Sequence, residues 1–327
     1  MEQREIGRLR RSVSVIGLGT WQLGADWGAV SEQDALAVLA AAAEAGVSLF
    51  DTADVYGDGR SEQLIGAFTA AHPELELLLA TKMGRRVEQQ PEAYTLANFR
   101  AWTDRSRTNL GVQVLDLVQL HCPPDAVFLS DRVFDELDTL VEEQRIRAYG
   151  VSVETCAQAL TAISRPGVAS VQIILNAFRQ KPLAEVLPAA VRAGVGIIAR
   201  VPLASGLLSG RYRHDTRFPA DDHRNYNRSG AAFDVGETFA GVDFDTGVEA
   251  AREFAELLPD GLSPAAAALR WVIDQPGVST VIPGARTVAQ ARANAAAAEL
   301  PPLGNELHQA IAELYDRRIA PDVHQRW

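Results

Sequence analysis

The 327-residue sequence predicts an α/β fold: a (β/α)8 TIM barrel with an N-terminal β-hairpin and a long loop after the seventh barrel strand. Three observations carry that expectation. Eight short apolar runs, at 15–18, 47–51, 77–81, 115–120, 146–151, 169–174, 195–200 and 278–282, alternate with helical patterns. The runs are continuous rather than alternating, as strands become when both faces are covered. No Pro- or Gly-rich linker divides the chain, so residues 1–327 read as one domain, and repeated βα units over this length favour a closed barrel over an open sheet.

Arg4 to Ser14 alternates polar and apolar residues around Gly7, a hairpin pattern ahead of the barrel. The first barrel strand, Val15-Ile16-Gly17-Leu18, then delivers Gly19-Thr20-Trp21 to the face where the strands end. Gly17 and Gly19 open like a dinucleotide fingerprint, but Gln22 stands where G-x-G-x-x-G needs its third glycine. No Rossmann unit is expected, so any nicotinamide cofactor must be held by the barrel. Ser31, with Asp34 three residues later, reads as a helix N-cap, and Gly46 ends that helix. The run from Val47 enters a strand closing on Asp51, glycines 57 and 59 tighten the next loop, and Ser61-Glu62 opens a helix. Further helical patterns run from Thr95 to Leu110, Arg132 to Val141, Thr155 to Ile163, Leu183 to Arg192 and Val288 to Ala298. Ser263-Pro264 supplies a hydroxyl cap followed by proline at the first helical position. The long break in this rhythm, from Pro202 to about Thr246, exceeds ordinary connections and is expected to be functional or mobile.

Composition narrows the function classes. A net charge of −11, from 31 basic and 42 acidic residues, argues against a nucleic-acid backbone or an anionic membrane as the main partner. The cluster Arg8-Leu9-Arg10-Arg11 is too short to reverse that balance. Met1 to Glu5 lacks the apolar core of a signal peptide, and the apolar stretch 35–43 is interrupted at Glu44, far short of a bilayer span. The two cysteines, Cys122 and Cys156, have neither motif spacing nor a secretory context, so a reducing cytoplasm is the expected location.

The chemistry concentrates at strand ends. The second barrel strand closes on Asp51, with Tyr56 five residues on; the third closes on Lys82 and the fourth on His121. In a parallel barrel these ends converge on one face, where a carboxylate, a phenol, an ammonium and an imidazole form a proton-handling set. No second metal-ligating residue lies at ligand spacing from His121, and no metal site is expected.

These four positions, with Phe50-Asp51-Thr52-Ala53 and Tyr56-Gly57 around them, resemble the aldo-keto reductase family over nearly the whole chain. Ile282-Pro283-Gly284-Ala285-Arg286 and the extended loop after strand seven resemble its longer-chain bacterial members. The resemblance implies that Tyr56 is the general acid, that Lys82 lowers its pKa from ~10, that Asp51 pairs with Lys82, and that His121 aims the substrate carbonyl. It places Trp21, Tyr56, His121 and Cys122 around the substrate; Cys122 stands where the family often carries tryptophan, which leaves a wider pocket.

For the cofactor, the resemblance implies NADP(H) bordered by Gly19, Thr20, Trp21 and Asp51. Ser152 and Gln172 would grip the nicotinamide carboxamide, with Val153 replacing a usual asparagine. Arg200 stands where an aromatic ring often stacks on the nicotinamide. Stacked there, its charge would favour the reduced cofactor; otherwise it turns to a phosphate or a substrate anion. Leu203, Ser205, Gly206, Leu207 and Arg211 belong to a segment resembling the family loop that covers the pyrophosphate. At the eighth strand's end, Gly284 and Arg286 precede a helix on which Gln290 and Asn294, four apart, share a face. Arg286 sits at the mouth of that helix, where backbone N–H groups already favour anions. In the family such an arginine holds the adenosine 2′-phosphate and the two amides hold the adenine edge.

The resulting expectation is an oxidoreductase moving hydride between NADP(H) and a small aldehyde or ketone, or the corresponding alcohol. A cofactor-binding regulatory barrel, resembling potassium-channel β subunits, is the alternative. The physiological substrate, the preferred direction and the oligomeric state are not readable from the sequence.

Overall fold

The computed structural model describes residues 1–24 and 30–327. Strands β1 (Gln3–Glu5) and β2 (Ser12–Ser14) pair antiparallel as the expected hairpin, with a 3-10 turn at Gly7–Leu9 between them. Ile6 and Val13 pack with Leu49, Leu78, Leu117 and Ile198, so the hairpin stoppers the lower end of the barrel. Gly7 takes a positive φ of +48°, and a Cβ there would lie 2.2 Å from Gly196 N and 2.3 Å from Ala169 O. Only glycine lets the hairpin turn approach the feet of the later strands so closely.

The barrel strands are β3 (Leu18–Gly19), β4 (Leu49–Asp51), β5 (Leu78–Met83), β6 (Leu115–His121), β7 (Ile146–Ser152), β8 (Val168–Ile174), β9 (Gly196–Arg200) and β10 (Val278–Val281). They pair in chain order, each parallel to the next. Closure runs through the residues ahead of β3: Gly17 N–H donates to Val281 O at 2.8 Å, Val281 N–H donates to Val15 O at 3.0 Å, and Gly19 bridges Gly284. The first strand starts later than the predicted 15–18 for that reason. Residues 15–17 serve the β10 side, and the ladder to β4 begins only at Leu18.

Helices cover the outside, started by the hydroxyl caps read from the sequence. Ser31 accepts from Asp34 N–H, Thr155 forms a full capping box with Gln158, and Ser263 accepts from Ala266 N–H ahead of a helix beginning at Pro264. One boundary differs materially. The pattern from Leu183 to Arg192 becomes a 3-10 turn at Lys181–Leu183 and a helix at Val186–Ala193. Pro188 explains the shift: lacking an N–H, it belongs in the first turn, which a start at Val186 provides and a start at Leu183 does not.

The excursion after β9 is packed. It contains 3-10 turns at Ala204–Ser209, Val235–Glu237 and Phe239–Gly241, and a short helix at His223–Tyr226, before a helix at Phe244–Glu256. Its own aromatic core holds it together: ring centroids lie 5.2 Å apart for Tyr212–Phe218, 5.8 Å for Phe218–Phe239 and 5.0 Å for Phe239–Phe244. No helix among the described residues is long and apolar enough to cross a membrane.

Replacing Gly7 with Ala should destabilise the protein by about 3 kcal/mol, the upper end of ordinary single-substitution effects, because the clash is with backbone on both sides. Urea midpoints of the two proteins check this; equal midpoints would mean the hairpin moves freely away from the barrel foot.

Candidate active site

The register of adjacent parallel strands brings the four expected residues together at the upper face. Asp51 ends β4, Lys82 is next to last in β5 and His121 ends β6, while Tyr56 returns from the turn after β4 at the start of a 3-10 turn, Tyr56–Gly59. Lys82 Nζ donates to Asp51 Oδ1 at 2.5 Å, to Thr52 O at 2.8 Å and to Tyr56 OH at 3.4 Å, so all three ammonium protons have acceptors. The second Asp51 oxygen accepts from Gln172 Nε2 at 2.8 Å and Gln119 Nε2 at 3.2 Å. Asp51 and Lys82 are almost completely buried.

The electrostatics follow from that burial. Desolvation is the largest influence on Lys82 and disfavours its charge, but Asp51 and Tyr56 outweigh it and hold the ammonium above its ordinary pKa. Tyr56 responds the other way from the expectation. Burial pushes its phenol above the usual value, and Lys82 pulls against that rise without reversing it. The resting phenol is therefore firmly protonated, as a donor must be. His121 is held well below the ordinary histidine range, first by burial and then by Arg85, Lys82 and Arg200, so its ring is neutral. The His121 ring meets Tyr56 edge-on, with centroids 6.0 Å apart.

A cleft of about 640 Å³ runs from Tyr56 and His121, past Ser152, Gln172 and Arg200, to Gly284, Arg286, Gln290 and Asn294. Gly19, Thr20, Trp21 and Asp51 form part of its wall, as do Leu203, Ser205, Gly206 and Arg211. Two expected residues do not reach it. Leu207 is fully buried, packed where any side chain on Gly247 would collide with it, and Cys122 turns its thiol to Ser152 Oγ at 3.4 Å. Cys122 takes a left-handed backbone (φ 48°), which carries its side chain aside from the line of β6. Trp21 does wall the end of the cleft beside Tyr56: it stacks against Tyr56 at 6.0 Å and contacts His223 at 5.2 Å and Phe233 at 5.7 Å, both from the excursion.

Arg200 turns neither to a free phosphate site nor to an open wall. Its guanidinium pairs with Glu154 at 2.9 Å and with Glu237 at 3.3 Å, and donates to Val153 O at 3.1 Å. Arg85 faces the same carboxylates, at 3.4 Å from Glu154 and 3.8 Å from Glu237. Val201, directly after Arg200, has a φ of +53°, an outlier for a β-branched residue, and Asn176 Nδ2 fixes its carbonyl at 2.9 Å. Cys122, Glu154 and Glu237 converge closely enough to resemble a metal-ligand set. Two guanidiniums already neutralise the carboxylates, and burial pushes the Cys122 thiol up to about 12, so the cluster is an ion-pair network.

Sequence reading missed Gln119, Arg85, Glu154 and Glu237. Gln119 lies two before His121 on one strand, hence on the same face, and that alternation was a usable signal. Glu237 had none, since only the fold of the excursion brings it back.

At the far end of the cleft, Gln290 Oε1 accepts Arg286 N–H at 2.8 Å and Asn294 Nδ2 donates to Gly284 O at 3.1 Å. Both amides thus shape the turn they border, and each keeps its other polar atom for a ligand. Among the described residues no carboxylate pairs with the Arg286 guanidinium, unlike Arg200. An unpaired guanidinium beside a helix N-terminus, on the same cleft as Tyr56 and His121, fits a phosphorylated cofactor.

A family model described as the aldo/keto reductase family matches residues 15–316. Among relatives, the aldo-keto reductase YhdN of Bacillus subtilis is 28% identical over 90% of this chain and 87% of its own. The aldo-keto reductase yakc [NADP(+)] of Schizosaccharomyces pombe is 28% identical over 87% of this chain and 83% of its own. Among solved structures, the glycerol dehydrogenase AKR11B4 from Gluconobacter oxydans superposes with a TM-score of 0.80 at 30% identity, covering 97% of this chain and 96% of that one.

Between Asp51 and Tyr56 lies a further buried carboxyl, Asp54. Burial and then Glu62 push it up to about 7, with Arg86, Arg105 and the Val55 N–H offsetting only part of the rise. A carboxyl raised in the folded state contributes stability that is lost as pH climbs from the unfolded value of 3.8 through about 7. Asp54→Asn removes that loss, so the variant should gain on the wild type between pH 5 and pH 8. Denaturant midpoints at both pH values measure it; a constant offset would place the titration elsewhere.

Proposed function

Because the chain belongs to the aldo/keto reductase family, we propose that it transfers hydride between NADP(H) and the carbonyl carbon of a small aldehyde or ketone, with Tyr56 as general acid. The observation that carries this reading is the buried Asp51–Lys82–Tyr56 chain on the floor of a long cleft. NADP(H), bound along that cleft, would supply the hydride or accept it.

Tyr56 OH then gives its proton to the carbonyl oxygen as negative charge gathers there. The phenolate left behind sits 3.4 Å from the Lys82 ammonium. That attraction is weak on the neutral phenol and strong on the phenolate, so it acts chiefly in the transition state, where it accelerates the reaction. Asp51, fixed by Gln119 and Gln172, keeps Lys82 charged and aimed. The neutral His121 ring offers a nitrogen to orient the carbonyl oxygen, and Trp21 closes one side of the substrate space. Arg286 would hold the 2′-phosphate, with the remaining polar atoms of Gln290 and Asn294 turned to the adenine edge. The name of the fission-yeast relative, which carries NADP(+), supports that choice of cofactor.

A panel of aldehydes, ketones and hydroxyaldehydes followed by NADPH absorbance tests the activity. NADPH binding without turnover of any of them would instead assign a cofactor-sensing barrel. Tyr56→Phe should lower kcat for reduction about 10²–10⁴-fold, the usual worth of a positioned acid, while NADPH affinity stays near the wild-type value. Retention of most activity would remove Tyr56 from the role. Arg286→Ala should weaken NADPH by about 10- to 150-fold, equivalent to losing ~1.5–3 kcal/mol of charge-assisted contact, and leave NADH nearly unchanged. Equal weakening of both dinucleotides would mean this helix mouth does not read the 2′-phosphate.

A further inference from the structure

We propose that Glu237 sets the preference of the cleft between oxidised and reduced dinucleotide, by cancelling with Glu154 the positive charge that Arg200 and Arg85 place at its reacting end. The inference rests on the cleft being the dinucleotide site described above.

The reacting ring must lie beside Tyr56 and His121, because hydride has to reach the carbon whose oxygen those residues hold. Arg200 lines that end of the cleft, together with Ser152 and Gln172. A lone guanidinium there would repel the oxidised nicotinamide, which is cationic, and leave the neutral reduced ring unaffected. The structure answers that charge with two carboxylates. Glu154 and Glu237 lie 2.9 and 3.3 Å from Arg200, and 3.4 and 3.8 Å from Arg85. Two positive and two negative groups sum to zero, and of the two carboxylates Glu237 is the one that itself lines the cleft, beside Arg200.

Glu237 is delivered by the excursion, and its place is built. Its carbonyl accepts from Ser205 Oγ at 2.9 Å, and Ser205 Oγ in turn accepts from Phe239 N–H at 3.1 Å, which buttons the turn to the segment following β9. Behind it, Gly236 is walled so tightly that a Cβ would lie 2.0 Å from Arg179 Nη1 and 2.9 Å from the Trp327 ring. Arg179 in turn stacks on Trp327 at 3.8 Å. A carboxylate held by three layers of packing is preorganised, whereas a surface carboxylate would gain little from two arginines. Burying four charges is unfavourable unless each is matched. Removing the Glu237 charge therefore leaves a net positive site where the redox-active ring must bind.

The test is the ratio of dissociation constants for NADP⁺ and NADPH, by fluorescence and calorimetric titration, in the wild type and in Glu237→Gln, Glu237→Asp, Arg200→Gln and the Glu237→Gln/Arg200→Gln double variant. Removing one charge at the distance of neighbouring side chains should raise the ratio about tenfold in Glu237→Gln. Arg200→Gln should lower it by a similar factor, and the double variant, neutral again, should return to within about threefold of the wild type. Glu237→Asp keeps the charge and should keep the ratio. Loss of affinity for both forms alike in Glu237→Gln would make Glu237 a mere fastening for the excursion and overturn the proposal. A wild type that binds neither dinucleotide would overturn the reading of the cleft itself, and this proposal with it.

Discussion

The buried ammonium of Lys82 is the constraint around which the upper face of the barrel is arranged. Moving an unpaired ammonium out of water is costly enough that the group would rather lose its proton. Here each proton has an acceptor, and the principal one, Asp51, has its second oxygen satisfied by two amides from strands β6 and β8. The ion pair thus draws in residues from four barrel strands. Its geometry depends on strand register, since a slip of one residue would turn Lys82 or Gln119 outward. Barrel closure through residues 15–19 and 281–284 keeps that register, and the hairpin beneath fills the end that would otherwise lie open.

Much of this was legible in the sequence for a physical reason. Continuous apolar runs mark strands covered on both faces, and a charged residue closing such a run sits where the barrel opens to solvent. Asp51, Lys82 and His121 announce themselves as polar residues in places where apolar ones were due. Tyr56 follows because the turn after β4 is short. The helix from Val186 was misplaced because the apolar pattern extends backwards past it, whereas Pro188 decides where backbone hydrogen bonding can start. Leu207 and Cys122 were drawn to the cleft by neighbouring residues that do line it, but the positive φ of Cys122 itself, and those of Ser205 and Gly206 just before Leu207, send their side chains away.

The excursion marks the limit of such reading. Its aromatic residues, Tyr212, Phe218, Phe239 and Phe244, have no helical or strand period, so nothing in their spacing shows that they meet. Once they do, the loop becomes a small packed unit, and a carboxylate far from β9 in sequence comes to lie beside Arg200. The direction of the Tyr56 shift is a similar case. Lys82 does lower the phenol pKa, but the depth of burial decides the sign, and depth is a property of the fold.

Two arginines on one cleft show how partners assign a residue its part. Arg286 has no carboxylate partner among the described residues, so its charge is open to the phosphate end of the dinucleotide in the proposed binding mode. Arg200 is surrounded by carboxylates, and its charge is spent within the protein. A dinucleotide laid along the cleft has the same asymmetry: its phosphates carry fixed negative charge, whereas its nicotinamide alternates between cationic and neutral with each turnover. A site that must release one redox form and accept the other gains nothing from a strong field at the alternating end. It gains directly from a strong field at the constant end, where attraction holds both forms alike. The contrast between the paired Arg200 and the unpaired Arg286 matches that division, and it follows from where the excursion carries Glu237.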